Sequence, residues 1–200
     1  MACKSSDPLP EAPKREVTSK NIVKIEMPVP AGRHVACTDL IPDLTPYSKG
    51  IGEEIGVLND MTKTNTKATA MCALHKAGKA PKQNMNPQTE LEKTAIHGVL
   101  PGDEYCTVSA YCSIFMEDED FTEKCEKDGN RLTDLNGHGA CVRETIRGPK
   151  YAYTYKMIEP DTRCLLEVMG GPSVTDENIV QGCSRAAVDS INKASIANHK

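Results

Sequence analysis

The sequence contains no tryptophan, and its aromatic residues amount to two phenylalanines and six tyrosines among 200 residues. It also has no excess of basic residues, because 24 Lys and Arg stand against 28 Asp and Glu. A net charge of -4 argues against a protein that binds nucleic acid through a basic surface. No apolar run approaches the roughly 18 residues of a transmembrane helix. We therefore expect no membrane-spanning helix and no nucleic-acid partner.

Cysteine is unusually abundant, with nine in the chain. No two cysteines form a CxxC pair, which excludes the usual signatures of zinc ribbons, c-type haem sites and thioredoxin-like redox sites. Their long, scattered spacing is typical of structural disulfides, which would compensate for a core with few aromatic side chains. We expect an oxidised, exported protein. The alternative is a cytosolic protein with several buried free thiols.

The N-terminal segment, residues 1–16, is polar, contains three prolines and shows no helical or strand periodicity. We predict that it is a disordered tether. Ala2 directly precedes Cys3, and together with the proline-rich stretch they resemble the start of a mature bacterial lipoprotein, whose first cysteine is lipidated. The resemblance implies a lipid anchor on Cys3 and a location in the periplasm, at the outer membrane or outside the cell. The alternative is a free N-terminal cysteine without a role.

Period-two alternation is clearest over residues 105–112, where Cys106, Val108 and Cys112 share one face. This pattern is typical of a strand with one buried side. We predict one disulfide-rich α+β domain over residues 17–200. Its expected architecture is an antiparallel sheet of four to six strands with a C-terminal helix packed on it.

Turn residues and hydrophobic periodicity place the other elements of this domain. The predicted loops are 38–47 and 131–139. The predicted helices and strands are a helix over 51–61, hairpins over 94–115 and 141–158 with turns at 101–103 and 148–149, a strand over 163–169 and a helix over about 175–195.

Eight cysteines lie in the predicted domain, an even number that permits complete pairing, and we predict disulfides for all of them: Cys37, Cys72, Cys106, Cys112, Cys125, Cys141, Cys164 and Cys183. Cys106 and Cys112 cannot bond each other, because six residues of strand span about 20 Å whereas a disulfide needs Cα atoms within about 7 Å. Connectivity is otherwise open. The pairs that would link neighbouring elements are Cys37–Cys72, Cys125–Cys141 and Cys164–Cys183.

A short polar segment resembles the opening of an EF-hand calcium loop, with Asp134, Asn136 and His138 at its first, third and fifth positions. His138 is a poor ligand for a hard cation, and Thr145 stands where the loop needs a bidentate glutamate. An Asn-Gly turn explains the same residues. We therefore assign no metal site.

Three tyrosines alternate along one predicted strand, Tyr151, Tyr153 and Tyr155, and Arg143 and Arg147 lie near them in sequence. Tyrosine and arginine together are typical of interface hot spots and of stacking surfaces for carbohydrate. These five residues are the predicted binding site. The alternative is that the tyrosines form the core face of a sheet poor in other aromatic residues.

No local signature selects a catalytic Cys/His pair, and the carboxylates at 117–120 are typical of a solvated surface. We assign no catalytic residue and no cofactor. The leading hypothesis is a non-catalytic cell-envelope or secreted binding module that recognises another protein, as an inhibitor or an immunity-type lipoprotein does. The alternatives are a small secreted hydrolase with a Cys/His or carboxylate site, and an extracellular binder of a glycan or another ligand.

Overall fold

The computed structural model describes residues 34–65, 67–79, 99–113, 117–147 and 150–197. Within these ranges only the backbone is described at Lys79, Val99, Leu100, Arg147, Lys150 and Tyr151. The predictions for the tether over 1–16 and for Cys3 lie outside the described residues.

Seven strands are present in the described residues: β1 Val57–Asp60, β2 Ala70–Lys79, β3 Val99–Tyr111, β4 Arg131–Leu135, β5 His138–Arg147, β6 Lys150–Ile158 and β7 Leu165–Gly170. They form one sheet in the order β1-β2-β3-β7-β6-β5-β4, and all neighbouring strands are antiparallel. The predicted antiparallel sheet is confirmed. It is larger than the four to six strands expected.

The helices of the described residues are α1 Cys37–Leu40, α2 Thr45–Ile51, α3 Asp118–Lys127, α4 Glu177–Ser190 and α5 Lys193–Ala197. Asp176 is the N-cap of helix α4, and its Oδ1 accepts a hydrogen bond from the backbone N–H of Asn178 at 2.9 Å. The predicted helix over about 175–195 is interrupted, because Asn192 donates its N–H to the carbonyl of Leu40 in α1. The last described helix is therefore the short α5, and α4 precedes it.

Sheet pairing overrides the predicted turn at 101–103. Strand β3 passes straight through Pro101 and Gly102, and Pro101 pairs with Ala77 beside an irregularity in β2. A side chain on Gly102 would meet the carbonyl of Lys76 at 2.8 Å, so glycine permits this close approach of the two strands. The turn prediction was wrong because long-range pairing with β2 decides the local structure.

The segment predicted as a loop over 131–139 is a hairpin instead. Asn136 and Gly137 connect β4 to β5 with φ values of 55° and 87°, the conformation that a two-residue hairpin turn requires and that Asn-Gly favours. Two other predictions are wrong. The predicted loop over 38–47 contains most of α1 and the start of α2, and where a helix was predicted over 51–61 the structure has the end of α2 at Ile51 and then β1. The pairing of β5 with β6 confirms the second predicted hairpin.

The sheet has two different faces. We call the face that carries Val108, Val168 and Tyr155 the inner face, because α4 covers it, with α2 packed on α4, and all three side chains are buried. The opposite, outer face carries Cys141, to which α3 is bound through Cys125. The main core therefore lies between the inner face and α4.

All eight predicted cysteines form disulfides, which pair as Cys37–Cys72, Cys106–Cys183, Cys112–Cys164 and Cys125–Cys141. Two of the expected pairs are present, and the excluded Cys106–Cys112 pair is absent. The expected Cys164–Cys183 pair was wrong. Cys164 lies at the start of β7 beside the end of β3, whereas Cys183 in α4 lies over the other end of β7, next to Cys106.

Helices α2 and α4 touch at two glycines. A Cβ atom on Gly182 would lie 2.1 Å from the carbonyl oxygen of Gly50, and one on Gly50 would lie 2.6 Å from that of Gly182. Such distances bring the two helix backbones into direct contact. Gly182 weakens helix propensity by about 1 kcal/mol relative to alanine, and this contact is the structural reason for its presence.

Candidate functional site

The predicted tyrosine stripe lies on the inner face rather than on the protein surface. Tyr155 is completely buried, and its hydroxyl donates a hydrogen bond of 2.6 Å to Oε1 of Glu177, which also forms an ion pair with Arg131. Burial, followed by the hydrogen bond to Glu177, raises the pKa of Tyr155 above its ordinary value. Tyr155 therefore anchors the first turn of α4 to the sheet and is not accessible to a partner, which corrects the prediction for this residue.

Of the five residues predicted to bind together, the three with described side chains are divided between the two faces. Tyr153 is partly buried and packs against the core, on the same side as Tyr155. Arg143 pairs with Thr154, which lies between Tyr153 and Tyr155 in β6. Because successive residues of a strand point to opposite faces, Thr154 and Arg143 lie on the outer face. The side chains of Arg147 and Tyr151 lie outside the described atoms. The predicted single Tyr/Arg surface is therefore wrong, and Arg143 is its member exposed on the outer face.

The segment that resembled a calcium loop has a structural role. Oδ1 of Asp134 accepts the backbone N–H of Gly137 at 2.9 Å, and the amide of Asn136 donates to Asp189 in α4 at 2.6 Å. These groups close the β4–β5 turn and attach it to α4. Within the described residues, no group of three or more His, Cys, Asp or Glu side chains could hold a metal ion.

The disulfides account for most of the cysteines that could act as a nucleophile in a hydrolase. Eight of the nine cysteines are bonded, so none of those eight is available as a thiolate. The acidic residues at 117–120 are exposed and lie at the N-terminus of α3, where they interact favourably with the helix dipole.

Glu159 is a buried carboxylate that the sequence analysis did not single out. Its Oε2 accepts hydrogen bonds from the backbone N–H and hydroxyl of Thr162, and its Oε1 lies 2.6 Å from Nζ of Lys193 in an ion pair. Lys193 also donates to Asp161. Burial lowers the pKa of Lys193, but the hydrogen bonds to Asp161 and Glu159 outweigh it and raise that pKa overall. This cluster ties α5 to the β6–β7 turn.

A cleft lies on the outer face, between α3 and strands β5, β6 and β7. It encloses about 480 Å³, a volume within the usual range of ligand sites. Its apolar floor is made by Phe121, Leu165 and the Cys125–Cys141 disulfide. Phe121 and Cys125 are four residues apart on α3, so one helix face supplies both. We call this region the α3 cleft.

Polar side chains form the rim of the α3 cleft: Lys124, Asp128, Asn130, Arg143 and Lys156. Nζ of Lys124 lies 3.1 Å from Asp128, and Nζ of Lys156 lies 3.0 Å from Glu167. The side chain of Arg143 has no hydrogen-bond or ion-pair partner among the described residues. The rim therefore holds two neutralised lysines and one arginine whose donors are free to meet an anion.

A smaller cleft lies on the other flank of α3, and the two share Phe121. Its arginine, Arg163, is held by both carboxylate oxygens of Asp118 at 2.9 and 3.2 Å. The cation of this second cleft is therefore already neutralised, and the free cation distinguishes the α3 cleft from its neighbour.

Sequence reasoning named Arg143 but missed Phe121, Lys124 and Leu165. The i, i+4 spacing of Phe121 and Cys125 was a usable signal, because it predicts one apolar face on the acidic helix. What the sequence does not indicate is the strand that this face contacts. That contact depends on the Cys125–Cys141 bond and on the register of β5 with β6.

Comparison of the chain with protein-family models, curated protein sequences and solved structures finds no match. Among the described residues, no helix is long and apolar enough to cross a membrane.

Proposed function

We propose that this protein is a non-catalytic binding protein of the cell envelope or the extracellular space, and that it recognises another protein at the α3 cleft. The observation that carries the proposal is the combination of an apolar floor with an unpaired arginine on the outer face. Aromatic residues and arginine are enriched among the residues that dominate binding energy at protein interfaces. An inhibitor or an immunity-type lipoprotein is a protein of this class.

The compartment in this proposal is supported by the four disulfides, because such bonds persist in oxidising environments and are rare in the cytosol. The proposed location is the periplasm or the extracellular space, with Cys3 as a lipid anchor at the outer membrane. Thiol titration under denaturing conditions tests it on the protein isolated from its own cells. Without reductant we expect one free thiol, or none if Cys3 is lipidated; eight or nine would contradict export.

Site-specific photo-crosslinking tests the binding function. A photoreactive amino acid replaces exposed Lys124 at the rim of the α3 cleft, and the matched control carries it at exposed Lys49 on α2. Each protein is expressed in its own cells and irradiated there. We expect a discrete protein adduct from position 124 and none of that mass from position 49. Equal adducts at both positions, or none at either, would contradict the proposal.

A binder of a small ligand is the second candidate, because the volume of the α3 cleft suits a small organic molecule as well as a protein side chain. This second candidate function predicts saturable binding of a small organic molecule and no protein adduct from position 124. The two functions therefore differ in the outcome of the same experiment.

A further inference from the structure

We propose that the α3 cleft takes an acidic side chain of the partner protein, with its carboxylate against Arg143 and a neighbouring apolar side chain on the floor. This inference rests on the proposed function and adds the chemistry of the partner. It is argued from the charges of the rim and the surface of the floor.

The floor is suited to an apolar group because its exposed atoms are mainly carbon and sulfur. Cys125 and Cys141 are almost fully buried, as is Leu165, so their positions are fixed by the packing beneath them. Phe121 is partly buried and lines both the α3 cleft and the second cleft. Water released from such a surface favours binding of an aliphatic or aromatic side chain.

The rim selects the charge of the group that lies beside this floor. Lys124 and Lys156 each have a carboxylate of this chain within ion-pair distance, whereas Arg143 has none among the described residues. The guanidinium group presents donors in a planar fork that matches a carboxylate. The unpaired guanidinium group of Arg143 can therefore bind one anionic group, and a carboxylate matches it in charge and shape.

The charge of the whole chain further limits the class of partner. A net charge of -4 repels an extended polyanion such as nucleic acid, whereas a single carboxylate in a protein segment carries little such penalty. The second cleft provides an internal comparison, because the carboxylate of Asp118 already accepts hydrogen bonds from the guanidinium group of Arg163 there. An acidic side chain of a partner would accept hydrogen bonds from Arg143 in the same manner.

The chemistry is tested on the full chain with 3-phenylpropionate, which combines a carboxylate with an apolar ring. Binding is followed by amide chemical shifts, with 3-phenylpropanamide as the neutral control and 3-phenylpropylamine as the cationic control. We expect saturable shifts around the α3 cleft with the carboxylate alone. Arg143 is exposed, and an exposed ion pair contributes up to about 1 kcal/mol, so Arg143→Gln should weaken binding roughly 2- to 5-fold.

Arg131→Gln is the matched control, because Arg131 is an exposed arginine that contacts Glu177 instead of lining the α3 cleft. Its affinity for 3-phenylpropionate should equal that of the wild type. Equal binding of the amide and the carboxylate, or equal weakening by both substitutions, would overturn the inference.

The crosslinking variant at Lys124 separates this inference from the proposed function. If the adduct forms and Arg143→Gln diminishes it, both stand. If the adduct persists undiminished with Arg143→Gln, the binding function stands and the carboxylate inference is overturned. If 3-phenylpropionate binds but no adduct forms, a protein source for the carboxylate is excluded and a small carboxylate ligand replaces it.

Discussion

Helices α3 and α4 are each bound to the sheet by one disulfide, yet they are packed very differently. Helix α4 buries seven residues, including Val180, Cys183 and Ala187, against the inner face and α2. On α3 the buried residue is Cys125 alone, and Phe121 is partly buried. Burial of apolar area contributes about 25 cal/mol per Å², so α4 is held by its packing whereas α3 depends much more on its disulfide.

This difference separates the part of the molecule that provides stability from the part that remains open. The inner face is filled, and the hydroxyl of Tyr155 is hydrogen-bonded there to Glu177 of α4. The outer face beside α3 keeps two clefts and an unpaired arginine. Regions with few buried contacts open locally at lower free energy than the core, and such regions are where binding surfaces are commonly found.

The largest expected effects come from removal of the two disulfides that bind these helices. The double substitutions are Cys106→Ala with Cys183→Ala, for α4, and Cys125→Ala with Cys141→Ala, for α3. Their loops span 77 and 16 residues, for which the chain-entropy model gives about 3–4.5 kcal/mol of stability. Urea unfolding monitored by circular dichroism measures the loss.

The two disulfide variants should differ in where they open. Without Cys125–Cys141 we expect fast hydrogen exchange in α3 and weakened binding of 3-phenylpropionate. The amides of β3 should remain among the slowest to exchange. Without Cys106–Cys183 we expect faster exchange in both α4 and β3, because they share one core. Equal loss of protection in α3 and β3 for the α3 variant would remove the distinction between the two helices.

The second largest effect is expected at the contact of α2 with α4. Gly182→Ala gains about 1 kcal/mol of helix propensity, but its Cβ would lie 2.1 Å from the carbonyl of Gly50. Both neighbours are backbone, so the helices must separate, and overpacking of this kind typically costs about 1–3 kcal/mol. We expect a net destabilisation in urea unfolding.

Gly139→Ala is the matched control for Gly182→Ala. Gly139 lies in β5, and a Cβ there meets nothing within 4 Å. Substitution should be neutral or should stabilise by up to about 1 kcal/mol, because it reduces the entropy of the unfolded chain. If Gly182→Ala is as well tolerated as Gly139→Ala, the close contact does not limit the approach of α2 and α4.

The sequence was informative where structure is decided locally. The hairpin of β5 with β6 and the helical stripe of α4 follow from short-range periodicity and turn residues, and both are present. The continuity of β3 through Pro101 could not be predicted, because its pairing with β2 decides it. The Cys106–Cys183 bond likewise depends on how α4 crosses the sheet, which no spacing reveals.

The candidate site was less predictable than the fold. Arg143 was selected for its proximity in sequence to the tyrosines, but strand alternation places it on the other face from Tyr155. With few aromatic residues in the chain, the core uses Tyr155 for its bulk and bonds its hydroxyl internally. The exposed site is instead built by α3, whose position depends on a disulfide.

A moderate effect is expected from Tyr155→Phe, which removes the hydrogen bond to Glu177 inside the inner face. Hydrogen bonds of this type contribute about 1–2 kcal/mol, and we expect that loss at pH 7. Because the folded-state pKa of Tyr155 lies above the unfolded value of about 10, its contribution is present below pH 10 and is lost as the pH rises further. The stability difference between wild type and variant should therefore shrink above pH 10 in urea unfolding, and a constant difference would contradict this role.

The smallest effects distinguish the two arginines of neighbouring strands, Arg131 in β4 and Arg143 in β5. Arg131→Gln removes the ion pair with Glu177, but the arginine side chain is 55% exposed, so the loss should not exceed about 1 kcal/mol. Arg143→Gln removes no side-chain hydrogen bond or ion pair within the described residues and should change stability by less than about 0.5 kcal/mol. For binding of 3-phenylpropionate we expect the reverse order, with the loss confined to Arg143→Gln. If Arg143→Gln were the more destabilising substitution in urea, Arg143 would have a structural partner, and the outer face would not present a free cation to a ligand.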